Sequence, residues 1–180
     1  MTSSKLQNSR GFTLVELLTV VTIVGILAAT AMVYVGRHIK AARAAEAVAM
    51  VQSIRAAEER YRSENRAYLS VSSSLVDYQP LTSPDGNLHA FYTDTEKDLR
   101  WKVLGPSVAG PVRFGYAVVA GSSGGTIPTP NTALNPNYPT PTSDWYVIQA
   151  SSGDPDHDGT TCYILSSSMS SEVYVENEGD

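Results

Sequence analysis

Residues 11–35 read GFTLVELLTVVTIVGILAATAMVYV. From Phe12 to Val35 the run is apolar except for four threonines, Gly25 and one charged residue, Glu16. As a helix these 24 residues reach about 36 Å at 1.5 Å per residue, enough to cross a bilayer core of about 30 Å. A polar stretch precedes them, MTSSKLQNSRG, carrying Lys5 and Arg10; Arg37, Lys40 and Arg43 follow them. With cations on both sides, charge bias leaves the orientation of the span open.

An ordinary secretory signal peptide, with Ala29-Thr30-Ala31 as its small-residue cleavage site, is one reading of this segment. Such apolar regions run about 7–15 residues, shorter than this one. They also have no use for a carboxylate, which costs about 2.5–3.5 kcal/mol at the centre of a spanning helix and less towards its end. Glu16 is therefore a candidate functional group.

The junction Gly11-Phe12-Thr13-Leu14-Val15-Glu16, followed by LLTVVTIVGILAA, resembles the class III signal of type IV prepilins and type II secretion pseudopilins. A short basic leader ends in glycine, phenylalanine follows, and glutamate is the fifth residue after the junction. Gly25 falls where pilins commonly place a helix-weakening glycine. The resemblance implies a leader of residues 1–11, cut by prepilin peptidase between Gly11 and Phe12, with methylation of the new Phe12 amine. Cleavage removes two basic residues and no acid, leaving 11 basic against 18 acidic residues, a formal −7. It further implies that Glu16 pairs with the Phe12 amine of a neighbouring subunit, because a cation offsets the cost of a carboxylate in hydrocarbon. The partners expected on this basis are other copies of the chain, the peptidase, an assembly platform and the inner membrane. The expected location is the inner membrane for the precursor, then an extracellular pilus or a periplasmic pseudopilus. Many pilins carry a proline at the place that falls on Val33. Its absence here predicts a straighter, more continuous helix through Met32–Gly36, since proline removes a backbone donor and clashes with the preceding turn.

Helical signals continue beyond the span. Ala47, Met50, Ile54, Ala57 and Tyr61 recur at steps of three and four. Arg55 with Glu59, and Glu58 with Arg62, are opposite charges four apart that support an exposed face. One helix is expected over residues 12–62, with 12–35 as membrane span and filament core. A head over residues 63–180 follows. There Pro80, Pro84, Asp85-Gly86 and Pro106 punctuate the chain, and strand-like runs occur at Leu99–Leu104, Val112–Ala120, Trp145–Ala150, Cys162–Ser166 and Val173–Val175. The expected fold is α+β, a long N-terminal helix packed against a small antiparallel sheet. The tracts ERYRSENRAY (59–68) and FGYAVVAG (114–121) also resemble pilin heads. The Pro-, Gly-, Ser- and Thr-rich stretch Gly121–Thr142 reads as a long loop on the filament surface.

Little else carries chemistry. Asp154, Asp156 and Asp158 alternate before Gly159, as at the start of a calcium loop. The twelfth position is Leu165 rather than glutamate, which excludes an EF-hand. Some pseudopilins hold calcium in an Asp-rich loop of their own, so these three are the candidate calcium ligands against an ordinary turn; no other cofactor is expected. His38, His89 and His157 are scattered, and Cys162 has no third group to complete a nucleophilic site. As the sole cysteine it also forms no intrachain disulfide. A formal charge of −5 and the lack of a basic or aromatic stripe speak against nucleic acid as a partner. The reading is a non-enzymatic type IV pilus subunit for attachment or motility. A type II secretion pseudopilin is the alternative within the same superfamily, and a membrane-tethered enzyme or receptor the alternative from another class.

Overall fold

The computed structural model describes residues 12–93, 96–132, 136, 138–153 and 160–178. The chain divides into two compact units, Met1–His38 and Ile39–Asp180. One helix, α1 (Leu14–Asn65), supplies residues to both.

In the first unit α1 presents its apolar side chains outward. Phe12, Leu14, Val15, Leu17 and Leu18 are all exposed, as are Ile23, Ile26 and Leu27. The threonines are satisfied within the helix. The hydroxyl of Thr19 donates to the carbonyls of Val15 and Glu16, Thr22 to Leu18 and Thr30 to Leu27, at 2.8–3.1 Å. A helical segment whose threonine hydroxyls are paired internally is the kind a bilayer tolerates. The helical backbone continues through residues 32–36.

In the second unit the opposite holds. Ala47, Met50, Ile54 and Ala57 of the stripe expected from the sequence are buried, and Ala44 and Val51 are buried with them. Tyr61 packs against the edge of the same core. The helix runs three residues beyond the expected end at Arg62. It closes with Arg66 in the left-handed region (φ 60°), whose N–H bonds the Arg62 carbonyl at 2.8 Å. The expected ion-pair face is different in the structure. Glu58 is fully buried, Arg55 reaches Ser170 and Ser171, and Arg62 donates to the Tyr68 hydroxyl.

Leu99–Leu104, read as a strand, lies in a second helix, α2 (Glu96–Leu104). The misleading alternation came from Leu99 and Val103, which are exposed. The buried residues are Asp98, Trp101 and Leu104, spaced by three, as on one helix face. Gly105 closes α2 at φ 61°, with its N–H on the Trp101 carbonyl at 2.8 Å, an ordinary helix C-terminus. Asp98 is paired: it accepts from the Gln79 amide and, at 2.5 Å, from the Thr93 N–H.

The sheet is a four-stranded antiparallel meander of β1 (Gly115–Gly121), β2 (Trp145–Ser151), β3 (Tyr163–Ser167) and β4 (Ser170–Glu176), in chain order. Tyr116, Val118, Tyr146, Ile148, Ala150 and Ile164 join the α1 stripe, Phe91, Trp101 and Leu104 in the main core. The other face is covered too. Trp145, Val147 and Leu165 pack with Leu75, Ile127 and Tyr138, so every residue of β2 is buried. Part of the stretch expected on the filament surface is therefore a cover for the sheet. It is held by the Trp145 indole N–H on the Ser122 carbonyl (3.1 Å) and by the Asn131 N–H on Gln149 Oε1 (2.9 Å). Gly121 is required there, because a Cβ would lie 2.6 Å from the Trp145 ring.

Candidate functional site at the N-terminus

The start of α1 is a reciprocal cap. Thr13 precedes the first helical residue, and its hydroxyl oxygen accepts the Glu16 N–H at 3.2 Å. Glu16 reaches back, and its Oε2 accepts the Thr13 N–H at 2.9 Å and the Thr13 hydroxyl at 2.8 Å. Two of the donors that every helix N-terminus leaves unpaired are satisfied in this way. A carboxylate in the first turn also faces the positive end of the helix dipole. The pattern Thr-x-x-Glu ahead of an apolar run was available in the sequence as a capping signature, and the reading of Glu16 as a membrane carboxylate passed over it.

Phe12 lies one residue before this cap and is 88% exposed. Gly11 lies outside the described residues, as do Asp154, Asp156, His157 and Asp158. Among the described residues no group of three His, Cys, Asp or Glu side chains is placed to hold a metal ion. His38 stacks edge-on against Tyr34, ring centroids 4.3 Å apart. His89 Nε2 bonds Asp85 Oδ1 at 2.9 Å. Cys162 is half-buried, and burial, with Glu178 and Glu176 adding, pushes its thiol up to about 11. A nucleophilic cysteine needs the opposite shift, towards the thiolate.

Residues 6–32 match the family described as the prokaryotic N-terminal methylation motif, the class III prepilin signal of type IV pilins and pseudopilins. No curated protein and no solved structure matches the chain. The match supports a type IV pilin-like or pseudopilin protein and suggests a structural protein. The signal implies processing by prepilin peptidase and assembly into pilus-type filaments. With α1 long and apolar enough to cross a membrane and its apolar window unburied, it fits a membrane-anchored precursor.

Proposed function

We propose that this chain is a structural subunit of a type IV pilus, assembled through the first half of α1 for surface attachment or motility. The observation that carries the reading is Glu16, the single charged residue between Phe12 and Gly36, held at the first turn beside the exposed Phe12. In the precursor, prepilin peptidase cuts between Gly11 and Phe12 and methylates Phe12. In the filament the Glu16 carboxylate meets the Phe12 amine of a neighbouring copy and sets the axial register. The outward apolar side chains of residues 12–31 exchange lipid for one another.

Two measurements test this. The mature chain, taken from sheared surface filaments, is expected to begin at methylated Phe12 by mass spectrometry. A chain beginning near Met32 would remove the filament reading. The abundance of the chain in those filaments separates a pilus subunit from a secretion pseudopilin.

The second compares Glu16→Ala with Glu16→Gln. Glutamine can keep the cap with Thr13 but has no charge for the amine, whereas alanine loses both. Both variants are expected to insert in the membrane and both to lose filaments in electron microscopy. Filaments from Glu16→Gln at normal yield would reduce Glu16 to a helix cap.

A further inference from the structure

The head contains an ionisable group with no part in the N-terminal site. Glu58 is 0% exposed. Its Oε2 accepts the Leu69 N–H at 3.0 Å, which ties the chain leaving α1 back onto the helix. Its Oε1 is buried with no hydrogen-bond partner among the described residues. A charged carboxylate with one bare oxygen in a core is costly, while the protonated acid is far less so.

The groups around Glu58 come from three elements. On α1, Glu59 accepts from the Tyr68 hydroxyl at 3.0 Å, and Arg62 donates to the same oxygen at 2.9 Å. From the connection after α1, Tyr68 stacks edge-on against Tyr146, ring centroids 4.8 Å apart. From β2, the Tyr146 phenol is raised mainly by burial. Arg55 opposes that shift, and Glu59 and Glu58 add to it. Arg55 stands three residues before Glu58, on the same side of α1. Its guanidinium donates to the carbonyls of Ser171 (3.1 Å) and Ser170 (3.3 Å), at the start of β4. That strand is the outer edge of the sheet, and Glu172 on it is exposed.

We propose that Glu58 and Arg55 form a proton-gated clasp between α1 and the sheet edge. With Glu58 neutral, Arg55 is committed to the β4 carbonyls and the Leu69 contact stays closed. Once Glu58 ionises, the carboxylate favours arrangements in which water reaches it. The Leu69 hydrogen bond is itself stronger to the charged form, but hydration of the buried charge opens that contact, and the exposed carboxylate then competes for Arg55. The clasp belongs to the head and stands independently of filament assembly.

Burial pushes the Glu58 carboxyl up from 4.5 to about 7, with the Leu69 hydrogen bond opposing and Glu59 adding. The closed state therefore holds its proton where the open state has lost it. The contribution of the neutral acid is complete below pH 4.5, declines as pH rises to about 7, and is flat above.

The experiment is hydrogen exchange on the full chain in detergent micelles, corrected for the intrinsic pH dependence of exchange. Between pH 5 and 7 the opening constant at the Leu69 amide is expected to rise on the order of tenfold or more. In Glu58→Gln the rise is expected to vanish. In Arg55→Gln the Leu69 response is expected to persist while that of the Ser171 and Glu172 amides is lost. In case Glu58→Gln does not fold, the wild-type infrared spectrum offers a direct readout: a protonated carboxyl band persisting at about pH 6. A Leu69 opening constant independent of pH, an equal rise in Glu58→Gln, or no such band at that pH would each overturn the gate. An unchanged β4 response in Arg55→Gln would overturn the part assigned to Arg55.

Discussion

Gln149 is fully buried on the covered face of the sheet, and both ends of its amide are in use. Oε1 accepts the Asn131 N–H, and Nε2 donates to the Leu75 carbonyl at 3.3 Å and the Tyr78 hydroxyl at 2.5 Å. One side chain therefore ties the loop, β2 and the segment after α1 together. Gln149→Leu keeps the volume but strands those partners away from water, at about 1–3 kcal/mol for an unpaired buried group. A loss of about 2–4 kcal/mol in denaturant unfolding is expected; a change within about 0.5 kcal/mol would mean that water replaces the amide. Asp85 contributes to the acid limb of stability. The Asn87 N–H and side chain, then His89, hold its carboxyl down to about 2. That contribution is present above pH 3.8, the ordinary value, and is lost as pH falls towards about 2. Asp85→Asn is expected to make thermal stability fall less steeply over that interval, since Asp77, raised by burial but held down on balance by Lys97 and Ser73, remains. Neither role was legible in the sequence. A glutamine in a strand-like run and an aspartate in Pro-Asp-Gly have the composition of a solvated edge and a turn, and only the elements packed over them give them partners.

At the scale of elements, helix ends and periods decide more than average propensity. The sequence LRWKVL alternates well enough to pass for a strand, and its true period shows only when Asp98 and Gly105 are counted with it. Gly105 takes φ 61°, and an added Cβ would stand 3.0 Å from the Arg60 guanidinium. Arg60 is itself fixed on the carbonyls of Leu104 and Gly105. Gly105→Ala is expected to cost about 1 kcal/mol from backbone strain, read as a lower denaturation midpoint with unchanged slope. In α1 the complementary test is Val33→Pro, which places in this chain the residue that many pilins carry there. Removing one backbone donor and crowding the preceding turn costs about 3 kcal/mol, so amide exchange in residues 29–32 is expected to accelerate. Unaltered exchange there would show that neighbouring turns absorb the proline without opening.

For the whole molecule, the division at His38 predicts that the head folds without the apolar half of α1. Its buried α1 side chains begin at Ala44, and both faces of the sheet are closed by residues beyond 38. A chain starting at Ile39 is expected to unfold cooperatively, with α1, α2 and sheet signals lost together. The same chain suits the calcium question at Asp154, Asp156 and Asp158. Binding to the folded form alone raises the melting temperature by mass action, and no shift at millimolar calcium would leave an ordinary turn.

What the sequence determined alone is what depends on neighbours along the chain. The Gly11-Phe12 junction, the lone Glu16, the apolar span, the helical stripe from Ala47 to Ala57 and most of the strands are local patterns of chemistry and period. The tertiary structure decided which polar groups go inside. Glu58, read as half of a surface ion pair, is a buried acid bonded to Leu69, and the loop after Gly121, read as surface, closes a second core over Val147 and Leu165. The reason is physical: a period reports which residues share a face, whereas burial depends on what the rest of the chain lays across that face.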